Sequence, residues 1–222
     1  MVLVYLVTVP FDKGRYIIGW WFRRLGVAMA KVNPYWRFRR TGFRVADPRR
    51  PYVVVSNHES FADILLISHL PFEMKWLSKV EILKIPLIGW MMRMAGDIPI
   101  KRGFGPSAVE AMERCRASLR NRVSVIFFPE GTRSVDGNML PFKDGAFRLA
   151  IEAGVPILPL AVAGTRTALP KHDWRFNPAR AIVEVLPPIE TSGLTLEDLP
   201  QLKERVRATI QAARDALRAR LA

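Results

Sequence analysis

The sequence predicts an α/β fold: one domain with a mostly parallel or mixed central sheet flanked by helices, preceded by a pair of short membrane-interfacial helices. Apolar, often β-branched runs at 52–55, 123–128, 155–162 and 181–186 have the length and composition of buried strands. Stretches of helical periodicity at 107–122, 146–153 and 199–221 alternate with them. The first 34 residues differ from both, being apolar and aromatic but interrupted by charge. Residues 1–34 are therefore set apart as docking helices, and 35–222 as the globular domain.

A chain of 222 residues supports one sizeable core, and half of its residues are apolar, which excludes a disordered chain. Lys and Arg number 34 against 20 Asp and Glu, leaving a net charge of +14. Such an excess implies an anionic partner, either nucleic acid or the anionic face of a membrane. No helix-turn-helix, zinc or ribonucleoprotein signature supports nucleic acid. The single cysteine, Cys115, excludes an internal disulfide framework and agrees with a reducing compartment. It falls in line with Ala108, Ala111, Met112 and Leu119 on an apolar helix face, the place of a buried, inert thiol.

Taken in order, residues 2–10 are apolar but far shorter than the ~20 needed to span a bilayer. After Asp12, Lys13 and Arg15 comes a second apolar stretch, 16–22. It holds Trp20 and Trp21 and runs into Arg23 and Arg24, a combination that the bilayer interface favours. Two short helices lying in one leaflet are expected, with a single tilted span as the alternative. Ala28-Met29-Ala30 resembles a signal cleavage site, but no basic residue precedes the apolar run. Residues 36–45 alternate apolar and basic, as in a half-exposed strand or a hairpin turning near Gly42. A turn at 47–51 leads into the strand at 52–55, a helix at 64–70 and a further short strand at 74–79. Residues 80–96 are apolar nearly all round and dense in methionine, which suits either an ordinary core or a wall that adapts to an acyl chain. A short strand at 97–100 ends in Lys101 and Arg102. In the last helix Leu199, Leu202, Val206, Ile210, Ala213, Leu217 and Leu221 form a packing stripe. Its basic flank (Lys203, Arg207, Arg214, Arg218) is expected to be solvated or to touch lipid headgroups.

Chemistry concentrates where strands end. His58 and Asp63 lie between the strand at 52–55 and the following helix, the place where open α/β sheets bind ligands. Five residues of ideal helix turn through roughly 500°, leaving two side chains about 140° apart. The pair can meet if His58 is on the turn and Asp63 is in the first helical turn. The carboxylate would then fix the imidazole tautomer and leave the other nitrogen as a general base. A capping box built on Ser60 and Asp63, with His58 as an ordinary loop residue, fits the same residues. The second strand end is Pro129-Glu130-Gly131-Thr132-Arg133-Ser134. Its glycine, hydroxyl and arginine offer backbone donors, a side-chain donor and a planar cation at one point, which suits a phosphate. A plain turn with a surface arginine is the alternative. His69 and His172 are read as structural or solvated.

Together and in this order these motifs resemble the glycerolipid acyltransferase family, and within it the bacterial enzymes that acylate 1-acylglycerol 3-phosphate. Asn57-His58-Glu59-Ser60-Phe61-Ala62-Asp63 matches the family's His-x4-Asp motif. Gly96-Asp97-Ile98-Pro99-Ile100-Lys101-Arg102 resembles its second motif, with Pro99 and Lys101 where an aromatic and an acidic residue are common. Phe128-Pro129-Glu130-Gly131-Thr132-Arg133-Ser134 matches the third, and Val155-Pro156-Ile157-Leu158-Pro159 resembles the fourth. The likeness covers roughly residues 35–190, and makes 35–222 an acyltransferase catalytic domain. It implies transfer of an acyl chain, from coenzyme A or acyl carrier protein, to the sn-2 hydroxyl of lysophosphatidic acid. His58 would be the base, oriented by Asp63. Arg102, Gly131, Thr132 and Arg133 would hold the phosphate, Glu130 would orient Arg133 or the hydroxyl, and a backbone amide near the His58 turn would meet the oxyanion. No metal or cofactor is implied beyond the acyl donor. The expected setting is the cytoplasmic face of a bacterial inner membrane, with the protein monotopic or peripheral. Other acceptors (lyso-ornithine lipid, lysocardiolipin) and a non-enzymatic basic membrane-binding protein are the alternatives.

Overall fold

The structure, a computed structural model, describes residues 1–101, 103–134, 137–169 and 175–221. Helices α1 (Val2–Thr8) and α2 (Tyr16–Val32) precede the first strand, β1 (Trp36–Gly42). There follow β2 (Val53–Ser56), α3 (Ala62–Ile67), β3 (Met74–Lys79), α4 (Ile88–Ala95), β4 (Ile98–Ile100) and α5 (Gly105–Arg120). The chain continues through β5 (Ser124–Phe127), α6 (Gly145–Ala153), β6 (Ile157–Ala163), β7 (Ala179–Val185) and α7 (Leu199–Leu221). The strands make one seven-stranded sheet in the order β1-β7-β6-β2-β5-β3-β4. Every neighbouring pair is parallel except β6 and β7, so the sheet is mixed.

Strand β2 is central, and the solvent touches none of Val53, Val54 or Val55. An unbroken apolar run is what a strand covered on both faces requires. Val53 and Val55 point into a core built with α5, α6 and α7, while Val54 points into the opposite core with Leu66 and Ile67 of α3. The alternating segment beginning at Trp36 lies at the sheet edge, where one face stays wet. It pairs in parallel with β7 and forms no hairpin at Gly42. Cys115 is buried in the α5 core, and desolvation pushes its thiol up to about 12.

The apolar amino terminus is only partly satisfied by this core. Ile18, Val27 and Ala30 of α2 are buried, whereas Trp20, Trp21, Leu25 and Met29 stay exposed, as do Leu3, Leu6 and Val7 of α1. Among the described residues no helix is long and apolar enough to cross a membrane. The stretch 80–96 divides into a 3₁₀ turn at Val80–Lys84 and the short α4, and Leu87 and Trp90 there are also exposed.

Beneath α2 lies a buried ionic cluster. Lys75 donates to Glu73 Oε1 (3.0 Å) and to the carbonyls of Arg15 (2.8 Å) and Ala95 (2.7 Å), filling all three ammonium donors. Arg23 pairs with Asp97 and stands 3.7 Å from Glu73. Gly19 lets the helix approach, since a Cβ there would lie 2.1 Å from Glu73 Oε1. Burial pushes the Glu73 pKa up, and the two cations oppose it.

Candidate active site

Three adjacent strands deliver the site. His58 follows β2, Glu130 follows β5 and Thr165 follows β6, so the sheet order itself brings residues far apart in sequence to one rim. Asn57 anchors the exit of β2: its amide donates to Val162 O (2.9 Å) and accepts from Val162 N–H (2.8 Å).

His58 Nδ1 meets Asp63 Oδ2 at 2.7 Å. The same carboxylate oxygen accepts the N–H of Glu59 (2.8 Å) and of Ser60 (3.0 Å), and the Thr165 hydroxyl donates to Oδ1. Asp63 is wholly buried, while the His58 side chain keeps 14% of its surface open. The two readings of this motif therefore coexist: Asp63 reaches back to the Ser60 amide as a capping residue does, and holds the imidazole as well. Because Asp63 accepts at Nδ1, the proton sits there and Nε2 carries the lone pair. Nε2 has no hydrogen-bond partner among the described residues. The ring stacks on Phe128, the residue after β5, at 4.1 Å between centroids.

Glu130 is placed differently from expectation. Its carboxylate is buried and accepts the N–H of His58 (2.8 Å) on one oxygen and of Leu140 (2.9 Å) on the other. It pins the histidine turn to the loop after β5 rather than orienting Arg133, and no ion pair with Arg133 occurs among the described residues. Burial pushes its pKa up, and the two backbone donors oppose this. The amides of His58, Glu59 and Ser60 are thus all committed. None of these three is free to meet an oxyanion.

Gly131 adopts a left-handed φ of +73°, turning the loop so that Thr132 is exposed and Arg133 half-buried. A Cβ at Gly131 would lie 2.8 Å from Lys143 Nζ, so a further cation stands against this loop. Arg102, expected beside Arg133, lies outside the described residues, as does His172.

Sequence reasoning missed the contribution of α7. Arg214 is buried, not solvated, and donates to Gly137 O at 3.3 Å. Arg218 donates to the same carbonyl (2.9 Å) and to Glu59 Oε1 (2.6 Å). The last turns of α7 thereby tie the histidine motif to the 131–140 loop. Glu59 is almost enclosed, and burial pushes its pKa up while Arg218 opposes that. A signal for Arg214 existed, since it lies four residues past Ile210 on the buried stripe.

The arrangement offers a proton acceptor with its partner fixed, a flanking aromatic ring and a loop with cations. Comparison with known proteins agrees on what such a rim belongs to. Residues 37–163 match the family model described as Acyltransferase. The chain is 47% identical over 120 residues to the chloroplastic 1-acyl-sn-glycerol-3-phosphate acyltransferase BAT2 of Brassica napus, covering 54% of this chain and 35% of that protein. It is 39% identical over 204 residues to 1-acyl-sn-glycerol-3-phosphate acyltransferase alpha of Mus musculus, covering 90% of this chain and 72% of the mouse protein. The crystal structure of the 1-acyl-sn-glycerophosphate acyltransferase PlsC from Thermotoga maritima superposes with a TM-score of 0.72 at 28% identity, over 89% of this chain and 77% of that one. A family model that matches more than half of the chain, together with a relative 39% identical over 90% of it, places this protein in the glycerolipid acyltransferase family.

Proposed function

We propose that the protein moves a fatty acyl chain from a thioester to the sn-2 hydroxyl of lysophosphatidic acid, giving phosphatidic acid. The observation that carries this reading is the open Nε2 of an imidazole whose Nδ1 is held by a buried carboxylate, on the rim of a sheet of this family. In this reaction Nε2 takes the proton of the acceptor hydroxyl as its oxygen attacks the thioester carbonyl. Asp63 stabilises the imidazolium. When the tetrahedral intermediate collapses, the C–S bond breaks and the thiolate recovers that proton from Nε2. No acyl-enzyme is required, which agrees with a lone cysteine buried in the α5 core and pushed up to about 12.

Arg133 and Thr132, with the Gly131 turn, would grip the acceptor phosphate, and Arg102 shares that role through its motif. Coenzyme A and acyl carrier protein are both suitable donors, the latter matched by the chain's net charge of +14. The exposed apolar faces of α1 and α2 support docking to one leaflet, at the cytoplasmic face of a bacterial inner membrane where these donors and the lipid acceptor meet.

A panel of lysolipids run with both donor types tests the reading. Turnover of lysophosphatidic acid well above lysocardiolipin and lyso-ornithine lipid is expected. Inactivity on lysophosphatidic acid, with turnover of one of the others, would replace the acceptor and keep the chemistry.

A further inference from the structure

A second cationic cleft lies on the flank of α2, at the opposite end of α3 from Asp63. It encloses about 360 Å³ between α2, β1 and the turn after α3. Arg24 and Lys31 come from α2, Arg40 and Phe38 from β1, and His69 from the turn. No carboxylate lines it among the described residues. The Arg24 guanidinium lies over the Trp20 ring at 5.5 Å and donates to the carbonyls of Ser68 and Leu70, the latter at 2.9 Å. Its Nε is buried without a hydrogen-bond partner. Burial and the nearby Arg40 push the Arg24 pKa down, and Glu73 opposes this. Lys31 is exposed and has no partner among the described residues.

The cleft is continuous with an apolar surface. Trp20 lines it and also belongs to the exposed row of α2 that includes Trp21, Leu25 and Met29. An orphaned guanidinium N–H, two further cations and an interfacial tryptophan meet where the acyl region of a bilayer would give way to headgroups.

We propose that this cleft binds the phosphate of an anionic membrane phospholipid, apart from the acyl-transfer site, with Arg24, Lys31 and Arg40 on the phosphate and Trp20 at the depth of the glycerol. The inference rests on the reading of α1 and α2 as membrane-docking helices and adds to it a lipid specificity. The site would hold the protein against one leaflet in a fixed rotation about α2.

Vesicle sedimentation of the full chain tests it, using phosphatidylcholine vesicles with and without phosphatidylglycerol. The double variant Lys31→Ala/Arg40→Ala removes two exposed cations and leaves Arg24 to brace the turn. Arg205→Ala/Arg220→Ala removes the same charge from exposed positions of α7 and serves as the matched control. The cleft variant should lose roughly tenfold in affinity for the phosphatidylglycerol vesicles, the control much less, and acyl transfer in detergent micelles should be unchanged in both. Equal losses in the two variants would reduce the site to general charge attraction and overturn it. No binding of the wild type to either vesicle would overturn the docking reading and the site together. Loss of inorganic phosphate binding by the cleft variant, with vesicle affinity unchanged, would assign the cleft to a free anion instead.

Discussion

Two buried ionic assemblies divide this molecule, and they have opposite characters. The cluster of Arg23, Glu73, Lys75 and Asp97 is closed, with side chains 0–7% exposed and two cations facing two carboxylates. The assembly at the other end of β2 contains His58, Asp63, Glu59, Glu130 and Arg218, and two of its groups, His58 and Arg218, reach the outside. Buried charge is therefore no mark of a reactive centre by itself. What separates the two is an unshared lone pair facing solvent while every neighbouring group is satisfied. The first assembly joins helices to a sheet; the second aims one nitrogen.

That contrast can be broken by experiment. His58→Ala should lower kcat on the order of 10⁴-fold while thermal stability and vesicle binding stay as in the wild type. Residual turnover above a few per cent would show that Nε2 is not the base. Lys75→Ala should do the reverse. Removing one partner of a buried pair costs about 3–5 kcal/mol, because Glu73 keeps its desolvation and loses its ammonium. Urea unfolding would read that loss, and kcat per folded molecule should hold. A variant as stable as wild type would remove the cluster from the framework of the fold. Arg218→Gln should fall between these, with kcat/KM lowered on the order of tenfold, since Arg218 acts by holding Glu59 and the 131–140 loop in place. It is a positioning residue, and Arg218→Lys should restore part of the loss. Unchanged kinetics in Arg218→Gln would detach α7 from the site.

How much of this was legible in the chain depended on range. His58 and Asp63 are five residues apart, so local geometry at a strand-to-helix turn showed that they could meet, beside the capping-box reading. The contact of Glu130 with the His58 amide spans 72 residues, and that of Arg218 with Glu59 spans 159. Both depend on strand order, which periodicity alone does not determine. Glu73 and Lys75 left a fainter trace: residues two apart along an extended segment share a face, so a carboxylate and an ammonium were placed side by side. That trace was hidden because Met74, Trp76 and Leu77 make the segment read as an ordinary apolar strand. The core faces of β2 and α7 were legible for the simplest reason, since burial on both sides or on one side leaves its own spacing.

The saturation of Asp63 has a kinetic consequence. Its oxygens accept from a ring nitrogen, two backbone amides and a hydroxyl, so the carboxylate has no second orientation of comparable energy to visit. In the proposed reaction the imidazole it steers would return after each cycle to the same tautomer and the same plane. Between release of one lipid and arrival of the next, this part of the proposed machinery would have nothing to reset.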